Sequence, residues 1–175
     1  SQLDSIVMDP QVIGAHTIFR SKHRIDSVVE TLFGAYSIGL RSIVRSGFEY
    51  DKHGNFSSFN IASVSGSSRQ RVHITYDRNH LHSVTHHNIS NPSLTTYDTF
   101  TYFKNNIVRW SAVLSGSTPD TRHYTYDHNH YNPLYFLADD LLAVFSGSRF
   151  EWEFFLGNEH VTTSKLYEQS QELVT

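Results

Sequence analysis

Apolar and polar residues alternate in short stretches along this chain. In Ile74-Thr75-Tyr76-Asp77 the first and third residues are apolar and the second is polar. Side chains along a strand point to opposite faces in turn, so Ile74 and Tyr76 share one face and Thr75 takes the other. The same sentence recurs as Phe48-Glu49-Tyr50-Asp51, Phe100-Thr101-Tyr102-Phe103 and Tyr124-Thr125-Tyr126-Asp127, and in weaker form as Trp152-Glu153-Phe154-Phe155. The copies begin 26, 26, 24 and 28 residues apart, the mark of one repeated supersecondary unit. The aromatic and aliphatic members are expected to share one buried face.

A second pattern follows the first. Two apolar residues three apart recur in Leu3-Asp4-Ser5-Ile6, Ile25-Asp26-Ser27-Val28, Leu40-Arg41-Ser42-Ile43, Phe56-Ser57-Ser58-Phe59 and Leu81-His82-Ser83-Val84, and more loosely in Ile107-Val108-Arg109-Trp110. A spacing of three does not suit a flat strand, whose same-face residues lie two apart. A β-bulge just after the turn reconciles it, since one extra residue restores the phase and adds twist. A single helical turn is the competing reading. It fails because the period never reaches a third turn and β-branched residues follow.

The connections alternate in character. Asp51-Lys52-His53-Gly54-Asn55 and Lys104-Asn105-Asn106 carry the Gly and Asn that tight hairpin turns use. A strand over residues 11–19 closes at Ser21-Lys22-His23-Arg24. Looser loops rich in Ser, Gly, Thr and Pro lie at 63–68, 90–93 and 115–120 and read as the opposite edge. Asn132-Pro133 breaks the pattern, because proline has no place inside a central strand. Leu134, Leu137, Leu141, Leu142 and Phe145 then fall near helical spacing, which predicts one short helix within 134–145. The whole is expected to be one all-β domain over 1–175: an antiparallel up-and-down meander of hairpins, roughly ten strands, curling into an open barrel or half-pipe.

Composition supports the β reading and removes several functions. The chain holds 12 Phe, 10 Tyr and 2 Trp, residues that favour pleated surfaces. Its net charge of −3 argues against a nucleic-acid partner. No apolar run approaches the ~20 residues that span a bilayer as a helix. The absence of cysteine excludes disulfides, thiolate metal sites and thiol nucleophiles. No Gly-x-Ser-x-Gly elbow and no phosphate-cradling glycine loop is present, and no cofactor is expected.

The unit Tyr-Asp, turn, Leu-x-Ser-Val, as in Tyr50-Asp51-Lys52-His53-Gly54-Asn55-Phe56-Ser57-Ser58-Phe59 and in residues 76–84, resembles the YD repeat of bacterial Rhs-type surface proteins. Tyr124-Thr125-Tyr126-Asp127 followed by Asn132-Pro133-Leu134 is also similar to Bacteroidetes envelope proteins built from such hairpins, many of them lipoproteins. The resemblance covers roughly residues 16–164 and describes a hairpin, with no activity to assign to any residue. It implies an exported protein of the outer membrane or periplasm, whose leader and any lipid-bearing cysteine lie before residue 1. The expected function is therefore a non-enzymatic binding or structural module of the envelope or secreted set. Its expected partner is a glycan or an envelope protein.

Histidine is the anomaly, at 12 of 175 residues. His80 and His82 fall near one hairpin with His86 and His87. His128 and His130 are placed after the matching turn two units later, near His123. Such imidazoles are candidate metal ligands, which gives the alternative function of a His-rich metal-binding protein or metal-dependent enzyme. Flat-sheet spacing sets the two clusters ~19 Å apart, so one ion is not expected to join them. Their protonation instead adds positive charge to one rim as the pH falls. Trp110, Tyr131, Tyr135 and Trp152 are candidate stacking platforms for a sugar or peptide. The Tyr-Asp pairs read as structure, with tyrosine packing inward and aspartate capping the turn. Asp139-Asp140 reads as helix-start charge.

Overall fold

The period-two stretches become twelve antiparallel strands in the computed structural model, which describes residues 5–8, 12–22, 24–34, 41–64, 68–78, 80–132, 142, 159–168 and 171–173. They are β1 (Ser5–Met8), β2 (Val12–Ser21), β3 (Arg24–Gly34), β4 (Arg41–Tyr50), β5 (Phe56–Ser63) and β6 (Arg69–Asp77). Then come β7 (His80–Asn88), β8 (Thr96–Phe103), β9 (Asn106–Leu114), β10 (Asp120–Tyr131), β11 (Glu159–Glu168) and β12 (Gln171–Leu173). Their order in the sheet is their order in the chain, with β1 and β12 as the edges, so the meander is open and does not close into a barrel. A 3-10 turn at Pro92–Leu94, capped by Asn91, sits in the connection from β7 to β8. No helix among the described residues is long and apolar enough to cross a membrane.

The apolar pairs three apart do mark bulges. Tyr76 pairs Leu81 and Thr75 pairs Ser83, which leaves His82 as the extra residue on β7. The same slip leaves Asp26 extra on β3, Ser57 on β5, Val108 on β9 and Thr162 on β11. Each bulge sits just inside the return strand of a hairpin. It lets both members of a pair face inward: Ile25 and Val28, Phe56 and Phe59, Leu81 and Val84, and Ile107 and Trp110 are all buried. The pattern at Leu40-Arg41-Ser42-Ile43 has another origin, because β4 pairs β3 there without a slip. β4 carries its own bulge at Gly47, whose φ of +65° suits glycine, and an added Cβ would meet the Asn60 amide at 2.9 Å.

A flat single sheet leaves both faces to water. Here Val28, Phe59, Val72, Val84 and Ile107 are 0% exposed. Repeated bulges raise the right-handed twist, and the sheet curls so that side chains from distant strands share one core. Ile74, Phe100 and Tyr124 are buried in it, as the alternation predicts, and Phe48, Tyr50, Tyr76, Tyr102 and Tyr126 pack against it. Leu142 belongs to the same core and has helical backbone; the rest of the helix expected over 134–145, with Trp152 and Phe154, lies outside the described residues.

One expectation about the chain path fails. Tyr126-Asp127 is not followed by a tight turn, because β10 runs on to Tyr131 through an irregular register with β11. His128 and His130 therefore have strand backbone rather than following a turn.

Trp110 shows how the curled face holds polar atoms. Its indole N–H donates to the Asp98 carboxylate at 2.8 Å, both residues being buried. Trp110→Phe removes the donor and, in trading a two-ring side chain for one ring, some buried volume. It is expected to lower stability by about 1–3 kcal/mol in a urea melt, the cost of an incompletely satisfied buried polar group. A loss of a few tenths would show that the bond contributes little.

Candidate functional site

The turns joining β2 to β3, β4 to β5, β6 to β7 and β8 to β9 lie on one rim of the sheet, since a meander alternates rims. Along that rim the same small assembly is built twice. A tyrosine lies within the last two residues of one strand, and the residue that opens the strand before it lies across the ring. The Arg24 guanidinium sits 4.7 Å from the Tyr50 ring centroid, and the His80 ring stacks on Tyr102 with centroids 4.7 Å apart. His80 also shares a 3.2 Å hydrogen bond with the Asn105 side chain of the next turn.

The tyrosines are anchored to main chain. The Ile25 N–H donates to the Tyr50 hydroxyl at 2.9 Å, and that hydroxyl approaches the Ile25 carbonyl at 3.3 Å. The Tyr126 hydroxyl donates to the Ile107 carbonyl at 2.6 Å. Burial holds the Tyr50 hydroxyl above its usual pKa, so it stays protonated. Asp51 accepts from the His53 and Asn55 N–H groups at 2.8 and 2.9 Å, which closes its turn. At this copy the Tyr-Asp pair is used up in building the hairpin, as the sequence suggests.

Beside each stacked pair opens a groove. One, of about 330 Å³, runs from the turn residues Ser21, Lys22 and Arg24 across the bulge residue Asp26 to Phe48 and Tyr50. The other, of about 420 Å³, runs from Asp77 and Arg78 past His80 and the bulge residue His82 to Phe100, Thr101, Tyr102 and Lys104. Both have an aromatic floor, a bulge on one wall and cations at the lip. They lie four strands apart, ~19 Å in a flat sheet.

The rim residues are basic in a regular way. Lys22, Lys52, Arg78 and Lys104 are all exposed, one in each of the four turns. Three of them have left-handed backbone, with φ of 48° at Lys22, 48° at Arg78 and 55° at Lys104. The connections on the other rim at residues 9–11, 35–40, 64–68, 89–95 and 115–119 contain no Lys or Arg, and Asp9 is their one charged residue.

A second polar cluster lies on the inner face. Arg45 opposes Val28 and is 3% exposed, and its Nη2 meets Glu30 at 3.0 Å. Burial draws the Arg45 guanidinium below its ordinary pKa, and Glu30 pulls the other way. His86 opposes Val72 and is 6% exposed. Burial, with the charge of Arg45 adding to it, pushes its imidazole down to about 4. His16, 2% exposed, is also lowered, first by burial and then by Arg45, against the pull of Glu30. Arg45 on β4 and His86 on β7 are not neighbours in the sheet, so their interaction reports the curl.

The residues named from sequence scatter among these places. His80 and His82 line the second groove, the first half-buried and the second exposed. No group of three or more His, Cys, Asp or Glu residues able to hold a metal ion occurs among the described residues. The side chains of His128, His130 and Tyr131, and all of Tyr135 and Trp152, lie outside the described residues. Trp110, expected as a stacking platform, is in the core at 6% exposed and offers no ring face to a ligand. The rim cations were not singled out from sequence, although Lys52, Arg78 and Lys104 recur at the 26-residue period. No family model matches this chain, and no curated protein is significantly similar to it.

Proposed function

We propose that this chain is a non-enzymatic binding module of the cell envelope or secreted set, built from hairpin units similar to YD repeats. It grips an extended ligand, a glycan, along its turn rim. The recurrence of one groove with the same parts at two hairpins carries the reading. An active site is a single constellation, whereas a surface that repeats its aromatic floor and polar lip suits a ligand that itself repeats. The Tyr-Asp pair, the one repeated acid-bearing motif, is spent on a turn at Asp51.

The test is retention of glycans by the full chain on a printed array, repeated with Thr101→Trp. Thr101 is exposed and lines the larger groove, so an indole there fills the space without entering the core. A retained glycan lost at least tenfold with Thr101→Trp, at unchanged melting temperature, is the expected outcome. Retention that ignores the substitution, or turnover of the bound sugar, would refute the reading. Export is checked separately by fractionating cells that make the native protein.

A further inference from the structure

Resting on that reading, we propose that the ligand is an acidic polysaccharide, held with one carboxylate or sulfate against each of Lys22, Lys52, Arg78 and Lys104. The first argument is strain. A left-handed backbone is disfavoured for any residue with a Cβ, and Gly or Asn is the low-cost occupant. Three of the four turns place a long cationic residue there instead. The fourth takes its positive φ at Gly54, 91°, and still presents Lys52 in the same turn. The cation is thus kept whatever the turn geometry, and a persistent local strain of this kind points to a use outside folding.

The second argument is the contrast between rims. Four turns on one side each carry a Lys or Arg, whereas the connections on the other at residues 9–11, 35–40, 64–68, 89–95 and 115–119 carry no Lys or Arg, Asp9 being their one charge. A general need for solubility would not sort charge by rim. The third argument is spacing. Successive turns on one rim are two strands apart, ~10 Å. That is close to the length of a disaccharide, so the turns match a polymer with an acid on every second sugar. Phosphates along one strand of duplex DNA recur every ~3.4 Å and would leave most of their charge unmatched. The rim also carries Asp26, Asp51 and Asp77, which repel a dense polyanion. In the grooves, Asp26 and Asp77 stand where hydroxyl groups of a sugar can donate to them.

The experiment is calorimetric titration of the full chain with oligosaccharides of hyaluronan and chondroitin sulfate, with methyl-esterified hyaluronan as the uncharged control and duplex DNA as a competing polyanion. Lys22→Asn, Arg78→Asn and Lys104→Asn are made singly and together. Asparagine tolerates the left-handed position, so the melting temperature holds or rises. Each single change is expected to weaken acidic-glycan binding about fivefold, the worth of one cation near an anionic surface. The triple variant is expected to lose at least fiftyfold and to flatten the dependence on salt. Equal binding of the ester overturns the acidic assignment, and so does tighter binding of DNA. If neither acidic polymer binds while the array retains a neutral glycan, the charge assignment falls and the binding module stands. If the array too is empty, both fall.

Discussion

Removing the Glu30 carboxylate, by Glu30→Ala, is expected to cost about 3–5 kcal/mol of folding stability, because it strands a buried guanidinium. Arg45 is 3% exposed, and its Nε and Nη1 meet no hydrogen-bond partner among the described residues. Glu30, bound at 3.0 Å to Nη2, offsets the cost of holding that charge out of water. The pair need not itself add stability, since its desolvation opposes its attraction. The double variant Glu30→Leu with Arg45→Met, apolar and of similar volume, should therefore recover most of the loss. Urea melts of the wild-type, single and double variants check this. A single variant that loses under 1 kcal/mol would mean that Arg45 reaches solvent by moving, and that the inner face is looser than drawn.

Acid is expected to unfold the protein through His86. Its folded pKa is near 4 and its unfolded value near 6.5, so between these the unfolded chain binds more protons. Stability then rises with pH across that window; it is whole above about pH 6.5 and falls as the pH drops toward 4. The full span is worth about 3 kcal/mol, and His16, lowered in the same direction, adds to it. His86→Leu should flatten the decline, and thermal melts from pH 7.5 to 4 are the measurement. If His86→Leu declines as steeply as the wild type, carboxylates elsewhere govern acid unfolding.

Both predictions concern buried polar residues that a count of residue types conceals. The hairpin period was legible because turn chemistry and alternation agree, and the bulge was legible because Leu81 and Val84 stand three apart. His86 is in phase with Val84 and therefore faces inward, which alternation alone could have indicated. Grouping it by composition with His80, His82 and His87 hid that. Trp110 is likewise the second member of an apolar pair, and its burial follows from the bulge at Val108, the counterpart of the one at His82 that buries Val84. Arg45 is harder to foresee. A buried cation depends on Glu30 reaching it from β3, and on a curl that no local stretch encodes. The rim cations were missed for another reason. Attention to Tyr-Asp stops one residue short of Lys52 and Arg78, and lysine at a turn looks like an ordinary solvated residue. The left-handed φ values at Lys22, Arg78 and Lys104 set three of the four positions apart.

The order of the strands bears on how such a chain can change over generations. Each strand bonds only to its neighbours in sequence. Contacts of that kind are local, so contact order is low for a β protein and folding can start at any hairpin. Duplicating or losing one unit of about 26 residues leaves the remaining pairings intact. Under the proposed function, each unit gained would bring one more basic turn and lengthen the stretch of polymer that can be held. Affinity would then be set by the number of copies, through effective concentration at successive turns, rather than by refinement of any one groove.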